Sequence, residues 1–272
     1  MLSRLENRPD FRADTSTLLR IASLGTAKNQ ATCTETPVSE DPKIDQIFPL
    51  DATVGSSQLM PETDRGDATP LFEELRSSVL ACTKCPHLVA FRHSVVFGTG
   101  DPSAELMFVG EAPGADEDLQ GEPFVGRAGE LLTKIIETMG YRRSQVYIAN
   151  VLKCRPDMPQ GSSGNRQPTR TEMETCLPYL RKQIELIQPK VMVALGATAM
   201  RGLFGKEEPM NQMRGRWHFF DSIPVMATFH PSYLLRNQAL SVKRKVWEDM
   251  LQVLERLEHS ISEKQKNYFL AR

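Results

Sequence analysis

From Leu71 onward the chain alternates short apolar runs with segments whose apolar residues recur at helical spacing, and this alternation limits the possible folds more than any other feature. Leu71–Ala81 predicts a helix that ends at Cys82-Thr-Lys-Cys85-Pro86. Glu105–Val109 predicts a strand that runs directly into the loop Gly110-Glu-Ala-Pro-Gly114. Arg127–Met139 reads as a helix and Gln145–Val151 as a strand. Thr169-Arg-Thr-Glu172 has the form of a capping box and opens a helix to about Ile187. Lys190–Leu195 is a strand, and Gly196 starts a short helix through Phe204. Pro224–Phe229 is the last strand and enters His230-Pro-Ser232, and Lys243–Glu258 is a long amphipathic helix. Strands alternating with helices imply an α/β fold with a largely parallel sheet. Ligands of such sheets bind beyond the carboxyl ends of the strands. Three strands here end in unusual polar segments: Gly110–Gly114, Asn150-Val-Leu-Lys-Cys154 and His230–Ser232. In a parallel sheet all three meet at one rim, which marks it as the expected active site.

Residues 1–70 have a different texture, rich in Thr, Ser, Asp, Pro and Glu with little apolar periodicity. Such a segment buries too little apolar surface to offset its ordering entropy, so it reads as a disordered or weakly structured tail. One short helix is expected around Thr15–Leu24, capped by Asp14 or Thr15. The expected division is therefore a tail over 1–70, a body over 71–260 and a C-terminal tail over 261–272. Net charge is −1, but it is unevenly spread. The first 70 residues hold 7 basic and 11 acidic side chains, and the remainder holds 26 and 23. An acidic tail thus masks a mildly basic body, compatible with DNA binding without requiring it. No run approaches the roughly 18 apolar residues of a membrane span. The N-terminus MLSRLENRPDF lacks the apolar core of a secretory signal. The expectation is a cytoplasmic protein with no membrane partner and with reduced thiols.

Five cysteines in such a chain point to metal or redox chemistry more than to disulfides. Cys82 and Cys85 form a CxxC pair after a helix, Cys154 follows a strand, and Cys176 lies within a helix. Four thiolates can hold zinc or an iron–sulfur cluster. Zinc sites usually use two close pairs, whereas Cys154 and Cys176 stand 22 positions apart, a spread that favours a cluster. Ordinary buried thiols at Cys154 and Cys176 are the alternative. Cys33 has no neighbouring partner and reads as incidental.

The motifs together resemble the family 4 uracil-DNA glycosylases, the members of that superfamily that carry a [4Fe–4S] cluster. The matching pieces are Cys82-x-x-Cys85, Gly110-Glu-Ala-Pro-Gly114 with Glu117-Asp118, Pro123-Phe-Val-Gly126, Asn150-x-x-x-Cys154-Arg-Pro156, Cys176 and His230-Pro-Ser-Tyr-Leu-Leu-Arg236. They occur in the family's order over about residues 71–258. Met158–Gln167 is longer than the family's usual segment between the third and fourth cysteines. The resemblance implies a three-layer α/β/α sandwich around a four-stranded parallel sheet, with a cluster on Cys82, Cys85, Cys154 and Cys176. It implies a monomer that flips uracil out of single- or double-stranded DNA and hydrolyses its N-glycosidic bond in base excision repair.

The same resemblance suggests a role for each rim residue. Gly110, Glu111, Ala112, Gly114, Glu117, Phe124, Asn150, His230, Ser232 and Arg236 would form the substrate site, with His230, Asn150 and Glu111 catalytic. Phe124 would stack on the base, although taken alone it reads as a core phenylalanine. The Asn150 amide offers a donor and an acceptor to O4 and N3–H of uracil, a pattern that cytosine reverses. His230 would donate to O2 as negative charge builds there, and a neutral ring suffices. Better-known glycosylases place a water-positioning Asp where this chain has Ala112. Glu111 or main-chain groups would then hold the water. Glu117 would crowd out the thymine methyl. Ser232, Leu234, Leu235 and Arg236 suggest a loop with an apolar wedge for the minor groove, and Arg236, Lys243, Arg244 and Lys245 could meet phosphates. A relative that traps uracil-DNA covalently needs a histidine after the third cysteine, and none occurs between His93 and His218. A non-catalytic, metal-stapled DNA-binding module would share the cysteines but would not need Phe124, Asn150 and His230 at separate strand ends.

Overall fold

In chain order the helices are α1 (Ile44–Ile47), α2 (Pro70–Leu80), α3 (Pro86–Val89), α4 (Ala115–Gln120), α5 (Arg127–Met139), α6 (Arg170–Ile187), α7 (Ala197–Phe204), α8 (Met210–Met213), α9 (Pro231–Arg236), α10 (Leu240–Arg256) and α11 (Glu263–Lys266). The strands are β1 (Thr99–Gly100), β2 (Leu106–Gly110), β3 (Tyr147–Asn150), β4 (Val191–Leu195), β5 (Trp217–Phe220) and β6 (Ile223–Thr228). They come from a computed structural model that describes residues 44–48, 70–159, 162 and 164–270. All of these belong to one unit, Pro42–Arg272. The helix expected at Thr15–Leu24 and the thiol of Cys33 lie outside the described residues.

The fold is α/β, but the sheet is mixed and has six strands in the order β1-β3-β2-β4-β6-β5, rather than four. The inner neighbours β3, β2, β4 and β6 pair in parallel. Two antiparallel edges were not expected: β1 on β3 and β5 on β6. Neither has a strong sequence signal, since β1 is only Thr99-Gly100 and β5 is an incompletely buried edge. Strands β2 and β4 are buried at every position, as parallel strands covered on both faces must be. Alternate residues feed two cores. Met107 and Val109 face α2, α6 and α7, whereas Leu106 and Phe108 face α5 and α10.

Helix ends follow local chemistry. Thr169 Oγ1 accepts from Glu172 N, and Glu172 Oε2 accepts from Thr169 N at 2.7 Å, so the expected capping box opens α6. Two tail expectations need correction. Ile47 and Phe48 lie within the segment read as a tail, yet both are fully buried, with Phe48 against Trp247 and Phe269. The C-terminal residues are likewise docked. Trp247 Nε1 donates to Gln265 O, and Arg244 Nη1 donates to the carbonyls of Lys266 and Tyr268. Three aromatic rings supply what the polar surroundings of these segments concealed.

Candidate active site at the rim of the sheet

Because the inner strands are parallel, Gly110, Asn150, Leu195 and Thr228 finish at the same edge, with Gly110 paired to Asn150 and Leu195 paired to Thr228. Beyond that edge lies a cavity of about 560 Å³. It is bordered by Glu111, Ala112, Gly114, Glu117, Phe124, Asn150, His230, Ser232 and Arg236. The three loops expected at one rim therefore meet there.

Phe124 is held in a conformation that few side chains adopt. Its φ is +54° and its ring is buried, 5.6 Å from the ring of His230. Neighbours constrain it from several sides. Glu117 Oε1 accepts from Val125 N at 3.1 Å and Gly126 N at 3.2 Å, while Oε2 accepts from Gly114 N at 3.0 Å. Arg143 Nη2 donates to the carbonyls of Pro123 and Phe124 at 2.7 and 3.1 Å. A side chain at Gly129 would overlap the Phe124 carbonyl, and one at Gly110 would meet both the Phe124 ring and the Asn150 amide. Glycine at these two positions lets the ring and the amide share the cavity wall.

Asn150 is 2% exposed, and its Oδ1 has no hydrogen-bond partner. Such an orphan acceptor is rare inside a protein and calls for an explanation. His230 caps α9, and its Nδ1 accepts from Ser232 N at 3.2 Å. A main-chain N–H can only donate, so the neutral ring carries its proton on Nε2. Burial, reinforced by the nearby Arg236 charge, pushes the His230 pKa down to about 4. The ring is therefore neutral at ordinary pH and keeps one donor. Burial raises the Glu111 pKa, against a hydrogen bond from Thr198 and the charge of Arg201.

The structure adds wall residues that sequence reasoning passed over. Leu195, Gly196, Ala197 and Thr198 come from the junction of β4 and α7, and Asn165, Arg166 and Gln167 from the long segment before α6. The first was visible as another strand end, since β4 runs straight into α7. Arg166 bonds Glu172 and Asp157, and Glu172 also bonds His87 at 2.8 Å. Residues 231–236 form helix α9 instead of a loop, and Leu234 is fully buried, so it cannot act as a wedge. Pro231 at the first helical position was the signal for that helix. Arg244 is engaged with Glu248 and the C-terminal carbonyls, which removes it from the expected phosphate contacts.

Cys82, Cys85, Cys154 and Cys176 all carry free thiols, the first two partly exposed and the last two buried. Burial raises the pKa of Cys85, Cys154 and Cys176, the last to about 11, and the neighbouring cysteines add to the rise. Arg92 Nη1 donates to Cys154 Sγ at 3.0 Å and Lys153 N to Cys176 Sγ at 3.3 Å, contacts that suit thiolates. Among the described residues no three of these sulfurs lie within 4.8 Å of one another. A single tetrahedral zinc with Zn–S of about 2.3 Å would draw them to about 3.8 Å. Arg92 links two of these segments, donating from Nη1 to Cys154 Sγ and from Nη2 to Cys82 O at 2.7 Å.

A family model described as Uracil DNA glycosylase superfamily matches residues 97–251. The chain is 46% identical over 182 residues to the type-4 uracil-DNA glycosylase of Thermotoga maritima, covering 66% of this chain and 91% of that protein. It is 40% identical over 207 residues to that of Sulfurisphaera tokodaii, covering 73% and 90% respectively. A type-5 uracil-DNA glycosylase of Thermus thermophilus is 27% identical over 216 residues.

Proposed function

The chain belongs to the type-4 uracil-DNA glycosylases of the uracil DNA glycosylase superfamily, and from that membership we propose how its rim performs the reaction. The protein is an enzyme of DNA repair that hydrolyses the N-glycosidic bond of uracil in DNA, releasing the base and leaving an abasic site. Uracil inside a duplex is out of reach, so the nucleotide flips into the cavity. There the Phe124 ring stacks on the base. Asn150 Oδ1 accepts N3–H, and its amide nitrogen donates to O4. The observation that carries this reading is the buried, unpartnered Asn150 Oδ1 beside that ring. Cytosine has no N3–H to give, so it would leave this acceptor unsatisfied at a cost of about 1–3 kcal/mol.

As the C1′–N1 bond breaks, its electron pair moves into the base. The neutral His230 donates Nε2–H to O2, where the charge collects. Glu111 holds the attacking water and takes its proton as oxygen bonds to C1′. Its raised pKa suits a base that works in a largely dry site. Gly110, Ala112, Gly114 and Ser232 shape the walls, and Glu117 fixes the Phe124 loop at the edge of the base. Arg236, with Lys243 and Lys245 beyond it, meets phosphates of single- or double-stranded DNA, a contact blind to sequence.

In this reading Cys82, Cys85, Cys154 and Cys176 would hold a [4Fe–4S] cluster, as family membership and four free thiols support. Bound there, it would supply a staple between the α2–α3 loop, the segment after β3 and α6. Uracil hydrolysis transfers no electrons, so the reacting groups are Phe124, Asn150, His230 and Glu111. A cytoplasmic monomer is the state we propose, since one chain supplies the residues that border the cavity.

The test is uracil release from an oligonucleotide by wild type, Asn150→Ala and His230→Asn, with iron content and visible absorption recorded. Release by wild type only, from an iron-containing, coloured protein, is expected. A colourless zinc protein would overturn the cluster, and variants as active as wild type would overturn the assigned roles.

A further inference from the structure

We propose that Lys153 is a positioning residue for base recognition, its buried ammonium holding the main-chain carbonyl of Asn150 so that the amide meets uracil at the right angle. This rests on the reading of Asn150 as the residue that recognises the base. Lys153 is 1% exposed. Its Nζ donates to Asn150 O at 2.9 Å and to Gln183 Oε1 at 2.5 Å. Gln183 is fully buried and donates onward from Nε2 to Phe97 O and to the hydroxyl of Tyr147, each at 3.0 Å. The ammonium is thus fixed to α6 on one side and to the end of β3 on the other.

Burying an ammonium costs several kcal/mol, and an apolar side chain of similar volume would fill the space without that cost. What an apolar residue could not supply is a donor to the Asn150 carbonyl. Asn150 is the last residue of β3, where strand pairing gives way to the rim loop. The orientation of its peptide there sets the direction of its side chain. An error of about an ångström at a reading group costs on the order of a hundredfold in rate. The main chain of Lys153 is fixed as well: its N–H donates to Cys176 Sγ and its carbonyl accepts from Val96 N at 2.8 Å. The ammonium therefore reaches Asn150 from an anchored base.

A double-mutant cycle between Lys153→Met and Asn150→Ala separates positioning from mere support of the fold. Single-turnover uracil release is measured for both variants and the combination, with DNA affinity, melting temperature and iron content. Lys153→Met should lower the rate on the order of a hundredfold with DNA affinity unchanged. In the Asn150→Ala background it should have no further effect, because the group it positions is gone. Val253→Ala, a core truncation in α10, serves as the stability control: it should lower the melting temperature but leave the full Asn150 factor. If Lys153→Met fails to fold, Lys153→Gln, polar but too short to reach the carbonyl, runs the same cycle. A rate within threefold of wild type, or effects that multiply in the double variant, would overturn the proposal. Loss of iron together with rate would also overturn it, assigning Lys153 to the cysteines instead. If Asn150→Ala alone releases uracil normally, the base-reading role fails first and this proposal falls with it.

Discussion

Replacing Glu117 with Gln separates two jobs that one glutamate could do at this rim. Its bulk could exclude the thymine methyl, or its charge could hold the loop that carries Phe124. Gln keeps the bulk and removes the charge. The carboxylate accepts three main-chain N–H groups, from Gly114 at 3.0 Å, Val125 at 3.1 Å and Gly126 at 3.2 Å, using both oxygens. An amide has only one acceptor oxygen. Whichever way it turns, its NH₂ faces at least one of these donors, and two if it lies on the Val125 and Gly126 side. Each lost bond to a charged acceptor is worth about 1.5–3 kcal/mol. The backbone of Phe124, at φ +54°, stores a strain of about 1–3 kcal/mol. Losing even one clamp therefore removes about as much as the strain it opposes, and the loop relaxes.

The expected result is a melting temperature several degrees lower and single-turnover uracil release slowed on the order of a hundredfold. No thymine should be released, because the space at the base edge is still filled. The measurement is rapid-quench release from uracil- and thymine-containing strands under excess enzyme. A Glu117→Gln enzyme within threefold of wild type would refute the clamp. So would a Glu117→Ala enzyme that cuts thymine while keeping its full uracil rate, since bulk alone would then explain the residue.

With a His230 pKa of about 4, the ring should contribute no titration near 6.5, and its own protonation should lower uracil release only as pH drops through about 4; a midpoint near 6.5 that vanishes in His230→Asn would contradict the neutral-ring argument. The same shift bears on stability. The unfolded state takes up a proton below about 6.5 that the folded state refuses until about 4, so His230→Asn should flatten part of the stability loss between those pH values in denaturant titrations. Gly110→Ala places a methyl against the Phe124 ring and the Asn150 amide, and should cost about 1–3 kcal/mol in stability and most of the activity, read by melting and by uracil release. Phe48→Ala should destabilise the protein by about 3–5 kcal/mol in urea unfolding; a variant as stable as wild type would show that residues 44–48 do not pack on Trp247 and Phe269 in solution.

The strand ends were legible because chemistry there breaks a simple pattern. Each inner strand is a short apolar run, and glycine, asparagine or histidine right after such a run stands out. The cysteines were legible for the same reason, as spaced exceptions. Much of what supports the site had no such mark. Arg143 reaches Phe124 across 19 positions, and Lys153 reaches Gln183 across 30. An arginine in a turn and a lysine beside a cysteine read locally as surface charges, and only tertiary packing makes them internal donors. Ile44, Ile47 and Phe48 were missed because their helical spacing lasts a single turn, too short to stand out from polar surroundings. Leu234 was misassigned because the HPS motif was taken as a loop, although a histidine cap followed by proline is also how a helix begins.

One design recurs among the three residues proposed to read the base. Each is held from behind by a hydrogen-bonding group, from separate segments for Phe124 and from two or three residues downstream for His230 and Asn150, and each keeps one polar atom or one ring face toward the cavity. Arg143 and Glu117 hold Phe124, the Ser232 N–H holds His230, and the Lys153 ammonium holds Asn150. The open groups are the ring face, the His230 Nε2–H and the Asn150 Oδ1. Uracil needs a stacking surface, a donor at O2 and an acceptor at N3–H, so the three open groups match its unmet needs. The arrangement also accounts for where the thiols lie. Cys154 directly follows Lys153, and Cys176 accepts from the Lys153 N–H, so the cluster proposed for these cysteines would anchor the residue behind Asn150. Loss of that group should therefore weaken base recognition before it loosens the Phe124 loop, because Glu117 and Arg143 make no contact with the cysteines among the described hydrogen bonds.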